Sequence, residues 1–174
     1  VFHPYLTAAN IDLKALRDQT YRRYVGARLQ PVLDSLVRMK QFGIWLEVTT
    51  LVIPGINDDT AELNDAADFI LQELGPDTPW HISRFFPAYK MTDVPQTPIE
   101  TVREARDIGR GKGLRYVYTG NMADDTDTVC HACGHTLIRR SGMTVIDNCI
   151  TPEGGCPRCG TPVAGVGMAA AGGL

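Results

Sequence analysis

The chain has 174 residues, 44% hydrophobic and 21% charged, with a formal net charge of −3. That is room for one medium domain and a small appendage, in the composition of a globular protein. The charge gives no general attraction to nucleic acid or anionic membrane, and no run of about 18 apolar residues exists to span a bilayer.

The opening, VFHPYLTAANIDLKA, has no Met, no capping sequence and no basic stretch before an apolar one, and it reaches strand-like sequence within ten residues. It reads as a chain cut from a longer one, without a signal peptide. The first predicted strand covers 10–14 (NIDLK). Asp12 and Lys14 lie two apart, so both side chains leave the same face. A carboxylate and an ammonium there suit the two ends of an amino-acid-like ligand. They suit an internal ion pair equally well.

A helix is predicted over 31–41, with Pro31 in its first turn, Leu33, Leu36, Val37 and Lys40 on one stripe, and Gly43 past its end. The second strand, 45–53 (WLEVTTLVI), is rich in β-branched residues and puts Glu47 and Thr49 on one face. In the following PGIND, Asn57 and Asp58 read as turn and cap residues. From Asp59 a helical face runs through Leu63, Ala66, Ala67, Ile70, Leu71 and Leu74. Asp59 and Glu62 read as a cap pair, and Gly75-Pro76 as the stop.

The third strand, 80–86 (WHISRFF), places His81, Ser83 and Phe85 on one face and Trp80, Ile82 and Arg84 on the other. A lone strand histidine is more often a hydrogen-bonded core residue than a catalyst. His81 rises above that because it shares a predicted face with Asp12, Lys14 and Glu47. The next loop, PAYKMTDVPQ, is long enough to suggest a lid or a substrate contact. Thr97-Pro98-Ile99-Glu100 reads as a capping box opening a helix that ends in the glycines of 109–113. A fourth strand is predicted over 114–119.

Strand starts about 35 residues apart, with helices between, imply repeated βα units in a parallel sheet or barrel. Four strands and three helices are too few to close a barrel, and an open doubly wound sheet is the alternative. The expected organisation is a first domain over 1–122, a linker over 123–129, a cysteine module over 130–165 and a flexible tail over 166–174.

All five cysteines follow residue 129. Cys130-x₂-Cys133 and Cys156-x₂-Cys159 are separated by 22 residues, close to structural zinc spacings, and each pair is followed by Gly. Two predicted strands, 136–140 and 144–148, form a hairpin between the pairs, which is a zinc-ribbon layout. Cys149 is read as a small buried residue. A c-type haem would need a His directly after the second Cys, and a redox dithiol would need one pair in its own βα unit. Iron could occupy the same four-thiolate cage. A closed four-cysteine zinc site leaves no position for water and would not catalyse. Clustered cysteines also point to a reducing compartment, with the cytoplasm expected.

NIDLKA, EVTTLVIPGINDD, PWHISRFFPAYKM, LRYVYTGN and the CxxCG and CPRCG pairs, in that order, resemble the radical S-adenosylmethionine enzymes of the AmmeMemoRadiSam system, which are similar to pyruvate formate-lyase activating enzymes. The resemblance spans roughly residues 5–165. It implies the C-terminal portion of a partial (β/α)6, TIM-like barrel carrying a small zinc ribbon. It implies a [4Fe-4S] cluster on a CxxxCxxC loop, S-adenosylmethionine ligating that cluster, and a 5′-deoxyadenosyl radical that abstracts hydrogen from a substrate. It further implies an electron donor such as flavodoxin or ferredoxin, and a substrate that could be a protein. Asp12 and Lys14 would hold the methionyl group, with Thr49 and His81 as further cofactor contacts. Glu47, Arg84 and Tyr89 are the candidates for the substrate pocket, and Cys130, Cys133, Cys156 and Cys159 for the structural zinc. Activating enzymes can carry an arginine at the position of Thr49, which separates the substrates. No CxxxCxxC occurs in the 174 residues, so the cluster loop is expected upstream and this chain alone is expected to be inactive. The competing readings are a non-catalytic zinc-ribbon binding module, for which the near-neutral ribbon argues against nucleic acid, and a rubredoxin-like electron carrier.

Overall fold

The computed structural model describes residues 4–123, 126–142 and 144–168. The chain divides after Met122 into two units. The first runs β1 (Ala8–Asp12), α1 (Asp18–Thr20) continued by a wide π turn (Tyr21–Val25), α2 (Leu29–Gln41), β2 (Trp45–Val52), α3 (Thr60–Phe69) continued by a second π turn (Ile70–Leu74), β3 (Trp80–Arg84), α4 (Ile99–Lys112) and β4 (Val117–Gly120).

The four strands are parallel and lie in the order β1-β2-β3-β4. Sequential order decides where the helices go. A right-handed crossover between parallel neighbours puts its helix on a fixed side, so three crossovers in one direction put every helix on the same face. Leu46, Val48, Val52, Trp80, Ile82 and Val117 point to that face and join Leu36, Leu63, Ala67, Ile70, Val102 and Ala105 of the helices in one buried core. The doubly wound alternative, with helices on both faces, is therefore excluded among the described residues. The opposite residues of the strands, from Glu47 to Tyr118, stay half-buried or exposed.

Local chemistry explains the helix ends. Asp59 caps α3 by accepting from the Ala61 and Glu62 N–H groups. Glu62 does not reach back to complete a box. It is buried, and its carboxylate accepts from the Leu16 N–H at 2.6 Å, tying α3 to the loop after β1. The predicted box at 97–100 is also absent: Pro98 occupies the cap position, and Thr97 Oγ1 instead donates to Val52 O and accepts from Phe85 N–H. A hydroxyl wedged between β2 and the end of β3 satisfies two orphan backbone groups there. Gly109 lies where α4 crosses β3, and a Cβ on it would come within 3.0 Å of the Trp80 ring.

The second unit is a three-stranded antiparallel sheet, β5 (Thr128–Val129), β6 (Thr136–Ser141) and β7 (Thr144–Asn148). β5 falls inside the stretch read as a linker over 123–129. Arg140 organises it, donating to Thr126 O at 2.9 Å and Thr128 Oγ1 at 2.8 Å, while Asp127 accepts from the Arg140 N–H at 2.7 Å. The acidic segment looked solvated because its cation lies more than ten residues ahead. Among the described residues its buried aliphatic side chains are Leu137, Ile138, Ile150 and Val163, alongside Cys130, Cys156 and Thr128. Of the expected tail, 169–174 lie outside the described residues.

Candidate functional site

The cysteines are brought together by two matching turns. In the first, Cys130 N–H donates to His135 O and Gly134 N–H to Cys130 O, both at 2.8 Å. In the second, Cys156 N–H donates to Thr161 O at 2.9 Å and Gly160 N–H to Cys156 O at 2.8 Å. Gly134 and Gly160 have φ of +70° and +72°, a left-handed conformation costly for other residues. Each turn aims two sulfurs inward, and the four Sγ atoms of Cys130, Cys133, Cys156 and Cys159 lie within 4.8 Å of one another. Cross-turn Sγ separations are 3.6 Å for Cys130–Cys159 and 3.7 Å for Cys133–Cys156. Hydrogen bonds from Thr161 hold the Cys159 thiol down to about 6. At Cys133 the His135 backbone N–H favours the thiolate, but desolvation and the three neighbouring thiols outweigh it and push the group up to about 12. Thiols that cannot all ionise together are what a divalent cation relieves, expelling their protons as it binds. Cys149 stands outside the cage, giving its S–H to Thr136 O and lying 3.7 Å from His135 Nε2.

The open face of the parallel sheet carries the other polar constellation. Strand register aligns Asp12, Thr49, His81 and Tyr118 in one row, with Asn10 and Glu47 in the row before it and Leu51, Ser83 and Gly120 in the row after. Asp12 pairs with Lys14 at 2.8 Å, and both are about half exposed. Thr49 Oγ1 donates to Asn10 Oδ1 at 2.8 Å. His81 Nε2 meets Glu47 Oε2 at 2.7 Å, and its ring stacks on Tyr118 with centroids 5.3 Å apart. Trp45 Nε1 reaches the other Glu47 oxygen at 3.4 Å.

Two expected pocket residues stand elsewhere. Arg84, of opposite strand parity, gives Nε to Thr97 O at 2.6 Å and lies over the Phe86 ring. Tyr89 is 86% exposed, with φ of +52°. Beside the Asp12–Lys14 pair is a cavity of about 400 Å³, lined by Lys14, Thr20, Tyr24, Val25, Leu51, Ile53, Ile56, Asn57 and Met91. Its floor depends on a residue read from sequence as a simple turn former. Asn57 is 2% exposed. Its Nδ2 donates to Lys14 O at 2.7 Å and Leu51 O at 2.9 Å, and its Oδ1 accepts from Ile53 N–H at 2.6 Å. One amide thus joins the ends of β1 and β2 and fixes the backbone that carries Lys14.

No protein-family model matches the chain. The "Uncharacterized protein MJ0808" of Methanocaldococcus jannaschii is 46% identical over 135 residues, covering 76% of this chain and 40% of that protein. The (2S)-3-sulfopropanediol dehydratase activating enzyme of Klebsiella oxytoca is 29% identical over 72 residues, covering 41% of this chain and 23% of the enzyme. The chain therefore spans less than half the length of either relative. Among solved structures, a domain of pyruvate-formate lyase-activating enzyme from Bacteroides vulgatus has a TM-score of 0.56 at 17% identity, covering 66% of this chain and 68% of that one. At that identity the likeness is one of fold. The chain shares the α/β fold of that activating-enzyme domain, with a parallel sheet, and carries a four-cysteine cluster able to hold a metal.

Proposed function

We propose that the chain is the C-terminal part of a radical S-adenosylmethionine enzyme of the activating-enzyme type, bearing a structural zinc ribbon. The observation that carries the reading is the one-sided parallel sheet, whose open face presents Asp12 and Lys14 at the end of β1 beside the cavity. An acid and a base held 2.8 Å apart can exchange their mutual bond for the ammonium and carboxylate of a methionyl group. These two residues would hold that end of S-adenosylmethionine. The bound cofactor would supply the radical that removes hydrogen from a substrate. Asn57 keeps Lys14 in place, and Thr49, satisfied by Asn10, adds a hydroxyl in the same row.

The residues of this chain do not fit the iron–sulfur cluster. The four clustered cysteines belong to the second unit and form a closed set, and no CxxxCxxC occurs in the 174 residues. In this reading the cluster loop lies upstream, completing a partial barrel with its first strands. The cage of the second unit takes zinc, with iron as the outcome that would make it an electron carrier. Five free cysteines suit a reducing cytoplasm, and no helix among the described residues is long and apolar enough to cross a membrane. Flavodoxin or ferredoxin would deliver the electron. The activating relatives favour a protein substrate.

The test is direct. The full gene product, reconstituted with iron and sulfide and reduced, should release 5′-deoxyadenosine from S-adenosylmethionine, and Asp12→Asn or Lys14→Met should suppress release. Absence of CxxxCxxC from the upstream sequence, or no cleavage by the reconstituted protein, refutes the reading.

A further inference from the structure

On the open face, hydrogen-bonding capacity is unevenly used. Asp12 and Lys14 satisfy one another, as do Thr49 and Asn10. His81 uses one nitrogen alone: Nε2 is held by Glu47, and no described residue hydrogen-bonds Nδ1. An ionised carboxylate can only accept, so Nε2 is the nitrogen that carries the proton toward Glu47, and in the neutral tautomer this selects, Nδ1 is the acceptor. The stack on Tyr118 fixes the ring plane. The Ser83 hydroxyl, two residues on and on the same face, also has no side-chain partner among the described residues. Across from it stands Gly120, where a Cβ would come within 2.8 Å of Ser83 Oγ. The missing side chain keeps that hydroxyl accessible.

We propose that His81 and Ser83 form a substrate-recognition pair for a secondary amide, its N–H donating to His81 Nδ1 and its C=O accepting from Ser83 Oγ. Glu47 is the positioning residue, because it sets the tautomer that leaves Nδ1 free to accept. An amide is the matching chemistry because it presents one donor and one acceptor, as this pair does in reverse. An ester lacks the donor. The inference rests on the radical-enzyme reading only in calling the amide a substrate; the binding pair rests on the shared strand face and the unused Nδ1 and Oγ.

The experiment uses the metal-loaded chain labelled with ¹⁵N and two probes, N-acetylglycine methylamide and methyl acetate. Long-range ¹⁵N–¹H spectra should show His81 protonated at Nε2. The amide should shift His81 Nδ1 and the Ser83 backbone signal saturably, and the ester should not. Glu47→Gln, whose amide can donate to Nε2 and reverse the tautomer, should weaken the amide about threefold to tenfold, one hydrogen bond's worth. Gly120→Ala, which crowds Ser83 without touching the dyad, should weaken it similarly. Equal response to amide and ester, a His81 protonated at Nδ1, or unchanged binding in both variants overturns the proposal. Amide binding by this chain, with no cleavage of S-adenosylmethionine by the reconstituted full gene product, would sink the radical reading and spare this pair. Cleavage without amide binding would do the reverse.

Discussion

Asn57→Ala should be among the most damaging single changes in the first unit. Asn57 is 2% exposed and makes three hydrogen bonds of 2.6, 2.7 and 2.9 Å, all to backbone groups of β1, β2 and the loops that follow them. Removing the amide strands the Ile53 N–H and the Lys14 and Leu51 carbonyls at once. At about 1–1.5 kcal/mol for each of the three bonds, the loss is about 3–4.5 kcal/mol. With a urea slope near 2 kcal/mol per molar, the unfolding midpoint should fall by about 1.5–2 M. Both tryptophans, Trp45 and Trp80, lie in this unit, and buried Trp80 donates to Thr50 Oγ1, so fluorescence reports its unfolding without interference from the cysteine unit. Asn57→Asp is the sharper variant. It keeps an acceptor for Ile53 but turns a carboxylate oxygen toward two carbonyls, so at neutral pH it should destabilise at least as much as alanine. A midpoint change under about 0.5 M in either variant would mean the loop is held by something other than this amide.

Glu62 gives a pH prediction. Burial raises its carboxyl above the usual range, against the opposing pull of the Leu16 N–H. A raised native pKa means the folded state holds the proton more tightly, so stability from this group is complete below the ordinary carboxylate pKa and is lost as pH rises through the native value. Glu62→Gln, which can still accept from Leu16, should therefore be more stable than the parent at pH 7 and lose that advantage near pH 4; urea midpoints at the two pH values decide it. Gly109→Ala should cost about 1–3 kcal/mol and perturb Trp80 emission, because the added methyl meets the ring at 3.0 Å. Elemental analysis should find one metal ion per chain, colourless if zinc. Strong chelation should collapse the β6–β7 amide protection while the tryptophan signal persists, whereas Cys149→Ser should keep the metal, since Cys149 lies outside the cage.

Much of the first unit could be read from residue order, since period-two alternation separated the faces correctly. Trp80 and Ile82 went to the core, and His81 and Ser83 went to the open side. Strand ends were less legible. Residues 114–116 look like strand by composition, yet Leu114 N–H closes the end of α4 on Gly109 O and Arg115 N–H reaches Pro76 O, so the ladder begins only at Val117. What sequence concealed were the partners of single polar side chains. Asn57, Glu62 and Thr97 each sit where local rules predict a turn or a cap, and each is instead used by a backbone group from a distant segment. A cap needs only its own three following residues, but these contacts span 43 or more positions in sequence, and nothing local announces them. The cysteine set was legible for the opposite reason: each turn contains its own two ligands and its own glycine, so the spacing carried the geometry.

That contrast bears on where chemistry resides. The four cysteines form a self-contained set, and among the described residues the second unit buries only four aliphatic side chains, so a bound metal would serve chiefly to hold its fold. The open face of the first sheet is built the other way. Its charged and aromatic groups are gathered from four strands, paired across the register and left half exposed. A surface serving solubility alone would scatter such groups; here Asp12, Thr49, His81 and Tyr118 stand in a single row. The cysteine set is thus built within two local turns, whereas the polar row of the open face is assembled across four strands and stays within reach of solvent.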